Sequence, residues 1–159
     1  MVCKKALFPG SFDPFTRGHE AVVREALRIF DTVVVGIGDN VSKRGLLTPR
    51  QRAMLIHDLY ANEPRVEVEI YSSLTGDFAR RCGASVLVRG VRTGYDIEYE
   101  QNMAAVNRRL YPDLTTVILC TPPELSHISS SVVRELLEFG HDAGDMLPQG
   151  VEIKDYISK

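Results

Sequence analysis

The chain has 159 residues, the length of one ordinary domain spanning 1–159, enough to bury a core without disulfides or metal staples. Its 44% hydrophobic and 25% charged content describes a globular protein and excludes a disordered or fibrous one, and no apolar run approaches the roughly 20 residues of a membrane span. A formal net charge of -2 argues against a general nucleic-acid binder, so any phosphate recognition must be local.

Apolar runs rich in β-branched residues alternate with helical patterns along the chain. KKALF predicts a first strand, after a start whose apolar run is too short for a secretory signal, so a cytoplasmic protein is expected. FPGSFDPFTRGHE follows, and then Val22, Val23, Ala26, Leu27 and Phe30 form a helical stripe. TVVVGI predicts the second strand, and NVSKRGLL a polar loop carrying Lys43. In LTPRQ, Thr48 is a candidate N-cap with Pro49 at the first helical position and Gln51 completing a capping box. VEVEI is the third strand, and Gly83 ends the helix after it. SVLVRG is the fourth, followed by a stripe of Tyr99, Met103, Val106 and Leu110 and a stop at Pro112. TTVIL is the fifth, and ISSSVVRELLEFG starts the next helix. This order predicts a Rossmann-like, doubly wound, five-stranded parallel α/β sheet with helices on both faces. Cys3, Cys82 and Cys120 are odd in number and widely spaced, which suggests neither a disulfide framework nor a zinc site.

In such a sheet, ligands bind beyond the carboxyl ends of the strands, near the point where strand order reverses. Three loops on that rim carry unusual chemistry. In TRGH, Thr16 is suited to cap the next helix and His19 falls in its first turn, where unpaired N–H groups and the helix dipole favour an anion. A tight β–α turn with an exposed histidine is the equal alternative. In LVRGVRTG, Arg89 and Arg92 offer planar forks to phosphate, with pairing to Asp96, Glu98 or Glu100 as the competing use. Ser129, Ser130 and Ser131 propose a cradle of hydroxyls and N–H groups, although a single serine suffices for a cap. Four ambiguous signals, Lys43 included, fall on one edge. The chain has no dinucleotide fingerprint, P-loop, G-x-S-x-G elbow or H-E-x-x-H.

PGSFDPFTRGH, the SKR loop, VRGVRTGYDIEYE and SHISSSVVRE, in this order and spacing, resemble the bacterial phosphopantetheine adenylyltransferase family over essentially the whole chain. Ser11 stands where that family usually has threonine, Leu125 where it often has an aromatic residue, and His127 where it has phenylalanine. The resemblance implies joining of ATP to 4'-phosphopantetheine with magnesium, giving 3'-dephospho-coenzyme A and pyrophosphate. It implies His19 at the α-phosphate in the transition state and Ser11 and Phe12 at both substrates. Lys43 would bridge the acceptor phosphate and the α-phosphate, and Thr75 and Arg89 would hold phosphopantetheine. Gly90, Val91, Arg92 and Glu100 would contact the nucleotide, and Leu125, Ser126, His127, Ile128, Ser129, Ser130 and Ser131 would wrap ATP. No protein metal ligand is implied, and a homohexamer is expected, with no nucleic-acid or membrane partner. Other T-x-G-H transferases and a non-catalytic nucleotide-binding regulator are the alternative readings.

Overall fold

The computed structural model describes residues 4–39 and 45–157; Lys43 and Cys3 lie outside them. Five parallel strands, β1 (Lys5–Gly10), β2 (Thr32–Gly38), β3 (Val66–Tyr71), β4 (Val86–Val91) and β5 (Thr115–Cys120), form one sheet in the order β3-β2-β1-β4-β5. The helices between and after them are α1 (Arg17–Ala26), α2 (Pro49–Leu59), α3 (Thr75–Cys82), α4 (Gly94–Leu110), α5 (Ser130–Glu138) and the short α6 (Lys154–Ile157). Strand order reverses between β1 and β4, as expected for a doubly wound sheet.

Alternation along the strands divides the core into two layers. Ala6, Phe8, Val33, Val35, Ile37 and Val88 face one way, packed with Val22, Val23 and Ala26 of α1, Leu55 and Ile56 of α2 and Val133 of α5. Leu7, Val34 and Leu87 face the other, against Phe78 and Ala79 of α3 and against Tyr111 and Leu114. The caps read from the sequence form: Thr48 and Gln51 make a reciprocal box at α2, and Gly83 ends α3 at φ 74°, a left-handed conformation that glycine adopts without steric cost.

Two features position the site. First, β1 pairs with β2 along six residues but with β4 only at Ala6↔Val86 and Leu7↔Leu87, so the two central strands part toward their carboxyl ends. Pro9 sits where they have parted. Its carbonyl accepts from the Arg89 side chain at 2.7 Å in place of a ladder partner on β4, and its missing N–H falls on the same unpaired side.

Second, the α4 stripe behaves unlike the α1 stripe. Tyr99, Met103, Val106 and Leu110 are 60%, 38%, 50% and 57% exposed, so this periodic apolar face is not covered by the rest of the described chain. The one buried residue of α4 is Glu100.

Candidate active site

The parting of β1 and β4 opens a cavity of about 430 Å³ at the carboxyl edge of the sheet. Its first wall is the loop after β1. Gly10 lies under the Phe12 ring, which a Cβ there would meet at 2.9 Å. Phe12 holds φ at 49°, unusual for a bulky residue, and its ring is 2% exposed, packed edge-on to Phe8 at 5.1 Å and against Phe15 at 5.4 Å. The ring is a core anchor, and the residue also lines the cavity. Below it, the buried Asp13 carboxylate accepts from the N–H groups of Leu46 and Leu47 and lies 3.4 Å from Nε of buried Arg52, which also donates to the Ser11 carbonyl.

His19 stands at the third position of α1. Thr16 caps that helix, and its backbone N–H donates to His19 Nδ1 at 3.0 Å, the histidine taking the place that glutamate or glutamine usually fills in a capping box. Since Nδ1 accepts, the hydrogen-bond network assigns the ring proton to Nε2, the nitrogen left to serve the cavity. Phe12 and Phe15 lie against the ring at 5.0 and 5.3 Å. Burial, and then the charges of Arg92 and Arg89, lower the His19 pKa to about 4. At neutral pH the site thus presents a neutral imidazole and one fixed N–H donor.

The second wall comes from β4 and α4. Arg89 donates Nε and Nη2 to the two Glu100 oxygens at 2.9 and 2.8 Å, and Arg92 lies 3.4 Å from Asp96 while donating to the Ile128 carbonyl. Of the open alternatives for these arginines, pairing is present for both, and both still line the cavity. Gly90 lies between them, where a Cβ would meet Val22 of α1 at 2.6 Å.

The third wall is the start of α5. Ser129 caps it by accepting from Val132 N–H, Ser130 donates to the Pro14 carbonyl at 2.8 Å, and Ser131 accepts from Arg134 at 3.1 Å. Each serine has a structural partner, and all three face the cavity.

Of the residues singled out from the sequence, Ser11, Phe12, His19, Arg89, Gly90, Arg92, Glu100 and Ile128 to Ser131 meet in this cavity. Thr75 lies in an adjoining cavity of about 210 Å³ that shares Pro9, Arg89, Tyr99 and Glu100 with the first, and its hydroxyl is 3.0 Å from that of Tyr71. Val91 and Leu125 are buried outside the main cavity, Leu125 against Ala21 and Ile128, while Ser126 is half-buried and His127 exposed. Sequence reasoning missed Arg134 and Thr121 on the cavity wall, and offered Asp96 there as an arginine partner and not as a site residue. Arg134, three residues after Ser131 on one helix face, was recoverable from that spacing.

The Cytidylyltransferase-like family model matches residues 7–136. The phosphopantetheine adenylyltransferase of Phocaeicola vulgatus is 49% identical over 150 residues, covering 94% of this chain and 99% of the relative. That of Porphyromonas gingivalis is 52% identical over 145 residues, covering 91% and 94%. The chain belongs to the phosphopantetheine adenylyltransferase family. As a member of it, the chain is an enzyme, a nucleotidyltransferase. Among solved structures, a bifunctional NMN adenylyltransferase/ADP ribose pyrophosphatase from Francisella tularensis superposes with a TM-score of 0.73 at 14% identity. The match covers 99% of this chain and 49% of that one, and the likeness extends to the fold alone. Among the described residues of this chain no three or more His, Cys, Asp or Glu side chains form a cluster suited to a metal ion. No helix among the described residues is long and apolar enough to cross a membrane.

Proposed function

We propose that this nucleotidyltransferase transfers the adenylyl group of ATP, reversibly, to the phosphate of 4'-phosphopantetheine, giving 3'-dephospho-coenzyme A and pyrophosphate, the penultimate step of coenzyme A synthesis. The observation that carries the reading is the pairing of a neutral His19 donor with Arg89 and Arg92 across one cleft. That set suits a reaction that needs charge stabilisation and no general base. A phosphate monoester has a second pKa of about 6 and is largely ionised at neutral pH. Its oxygen forms a bond to the α-phosphorus as the bond to the β-phosphate breaks, and pyrophosphate leaves in line.

In this mechanism His19 Nε2–H donates to the α-phosphoryl oxygen as charge grows there. Ser11 and the main chain of Phe12 contact both substrates, and Lys43, which lies outside the described residues, bridges the two reacting phosphates. Arg89 and Thr75 hold phosphopantetheine across the two adjoining cavities. Gly90, Val91, Arg92 and Glu100 serve the nucleotide, and the segment from Leu125 through Ser126, His127 and Ile128 to Ser129, Ser130 and Ser131 wraps ATP, with the N–H groups at the start of α5 toward its phosphates. The two carboxylates on the cavity wall, Asp96 and Glu100, are each paired with an arginine, which supports a metal carried by the substrate over one held by these side chains. Magnesium in our reading arrives with the triphosphate, held by its oxygens and water. The exposed face of α4 supports self-association, and we infer a homohexamer in the cytoplasm.

The test is pyrophosphate release from ATP with separate acceptors. Release with phosphopantetheine and none with nicotinamide mononucleotide is expected. Release with the mononucleotide instead, or saturable ATP binding with no turnover of any acceptor, would contradict the proposal.

A further inference from the structure

We propose that Glu100 is the positioning residue of Arg89: its carboxylate fixes the plane of the guanidinium so that the remaining N–H groups grip the phosphate of the acceptor. The inference rests on the reaction proposed above and gives Glu100 a task that direct nucleotide contact does not require. It starts from an imbalance in α4. Seventeen residues long, the helix carries four exposed apolar side chains on one face, yet the one residue it buries is a carboxylate. Docking a helix through an ion pair is costly, because desolvation of two charges offsets most of their attraction, and an apolar contact of similar size would do the same work. A buried pair in that position therefore points to a role in orientation.

The geometry supplies the role. Both Glu100 oxygens are taken by Arg89, at 2.9 Å from Nε and 2.8 Å from Nη2, in the fork-to-fork arrangement that holds a guanidinium in one plane. A third bond, from Nη1 to the Pro9 carbonyl at 2.7 Å, pins the same plane to the strand that carries the His19 loop. A guanidinium has five N–H groups. Among the described residues these bonds occupy three of them and leave one on each terminal nitrogen. The Glu100 side chain is 8% exposed and that of Arg89 30%, so the carboxylate lies behind and the arginine in front. Both residues line both cavities, at the junction where an acceptor in one must meet a nucleotide in the other. An arginine left to choose among rotamers would lose that alignment, and binding would then bear the cost of ordering it.

Calorimetric titration of the whole protein with phosphopantetheine and, separately, with ATP tests the inference in Glu100→Ala, Glu100→Gln, Arg89→Ala and the Arg89→Ala/Glu100→Ala double variant. Glu100→Ala should weaken phosphopantetheine about 10-fold, the worth of one charge-assisted hydrogen bond, in addition to any ATP affinity that its nucleotide contact supplies. In the Arg89→Ala background the same change should cost no further phosphopantetheine affinity, because Glu100 acts through the missing group. Glu100→Gln keeps the volume but faces one Arg89 N–H with an amide donor. It should show the same loss of phosphopantetheine affinity, and it carries the comparison if the alanine variant does not fold. Loss of ATP affinity with unchanged phosphopantetheine affinity, additive losses of phosphopantetheine affinity in the double variant, or a lowered melting temperature with unchanged phosphopantetheine affinity would each overturn the inference while leaving the proposed reaction standing. Failure of the unaltered protein to bind phosphopantetheine would overturn both.

Discussion

Helix α1 puts five of its ten residues into the core, whereas α4, with 17, buries only Glu100. The two helices flank the same cleft and hold its walls by different forces. On the α1 side, Val22, Val23 and Ala26 lock the helix onto the sheet, and the aromatic cluster of Phe8, Phe12 and Phe15 encloses the histidine. On the α4 side, ion pairs from Arg89 to Glu100 and from Arg92 to Asp96 do the positioning, and the apolar face looks outward. A neutral donor is kept neutral by burial, so its wall must be apolar and rigid. Cations that meet phosphates must stay near water and partners, so their wall is built from charge.

The contrast can be broken most sharply at His19. Replacement by alanine should lower kcat by about 100-fold or more, the loss expected for one preorganised transition-state donor, while ATP affinity in equilibrium titration changes little. An unchanged kcat would remove His19 from the mechanism. A smaller effect separates the helices themselves. Val23→Ala empties a fully buried position of α1 and should cost about 2 kcal/mol in denaturant unfolding. Val106→Ala, on the exposed face of α4, should stay within about 0.5 kcal/mol in the isolated chain. Equal costs at the two positions would show that α4 is packed as α1 is, and that the wall of cations is not held by its ion pairs.

What could be read in advance was local. Strands declared themselves as β-branched runs, and Thr48, Pro49, Gln51 and Gly83 marked helix ends, because capping is decided within four residues. The rim of loops followed from the parallel order. His19 was legible as a first-turn histidine, but its place in a capping box with Thr16, which fixes the tautomer, was not foreseen. The partner of Arg89 could not be chosen among Asp96, Glu98 and Glu100, since all three lie close in sequence and only the packing of α4 against β4 selects Glu100. Phe12 was implied by the resemblance alone, and no spacing foretold that its left-handed backbone turns the ring into the core while the residue still lines the cavity. The stripe on α4 reported an apolar face correctly, while periodicity carries no information about what covers it. The pair of Asp13 and Arg52, 39 residues apart, left no trace in spacing.

The central claim is that the apolar wall presents His19 as a neutral ring with its proton on Nε2, and nitrogen-15 NMR of the histidine ring across a pH titration tests it most directly. The His19 pKa is lowered from near 6.5 to about 4, so the unfolded chain takes up its proton before the folded one does. Stability from this residue should therefore be intact above about pH 6.5 and fall as the pH drops toward 4. The spectra should show Nε2 protonated and Nδ1 bare from neutral pH down to about 5. A ring that carries both protons at pH 6.5, or whose single proton lies on Nδ1, would contradict the account.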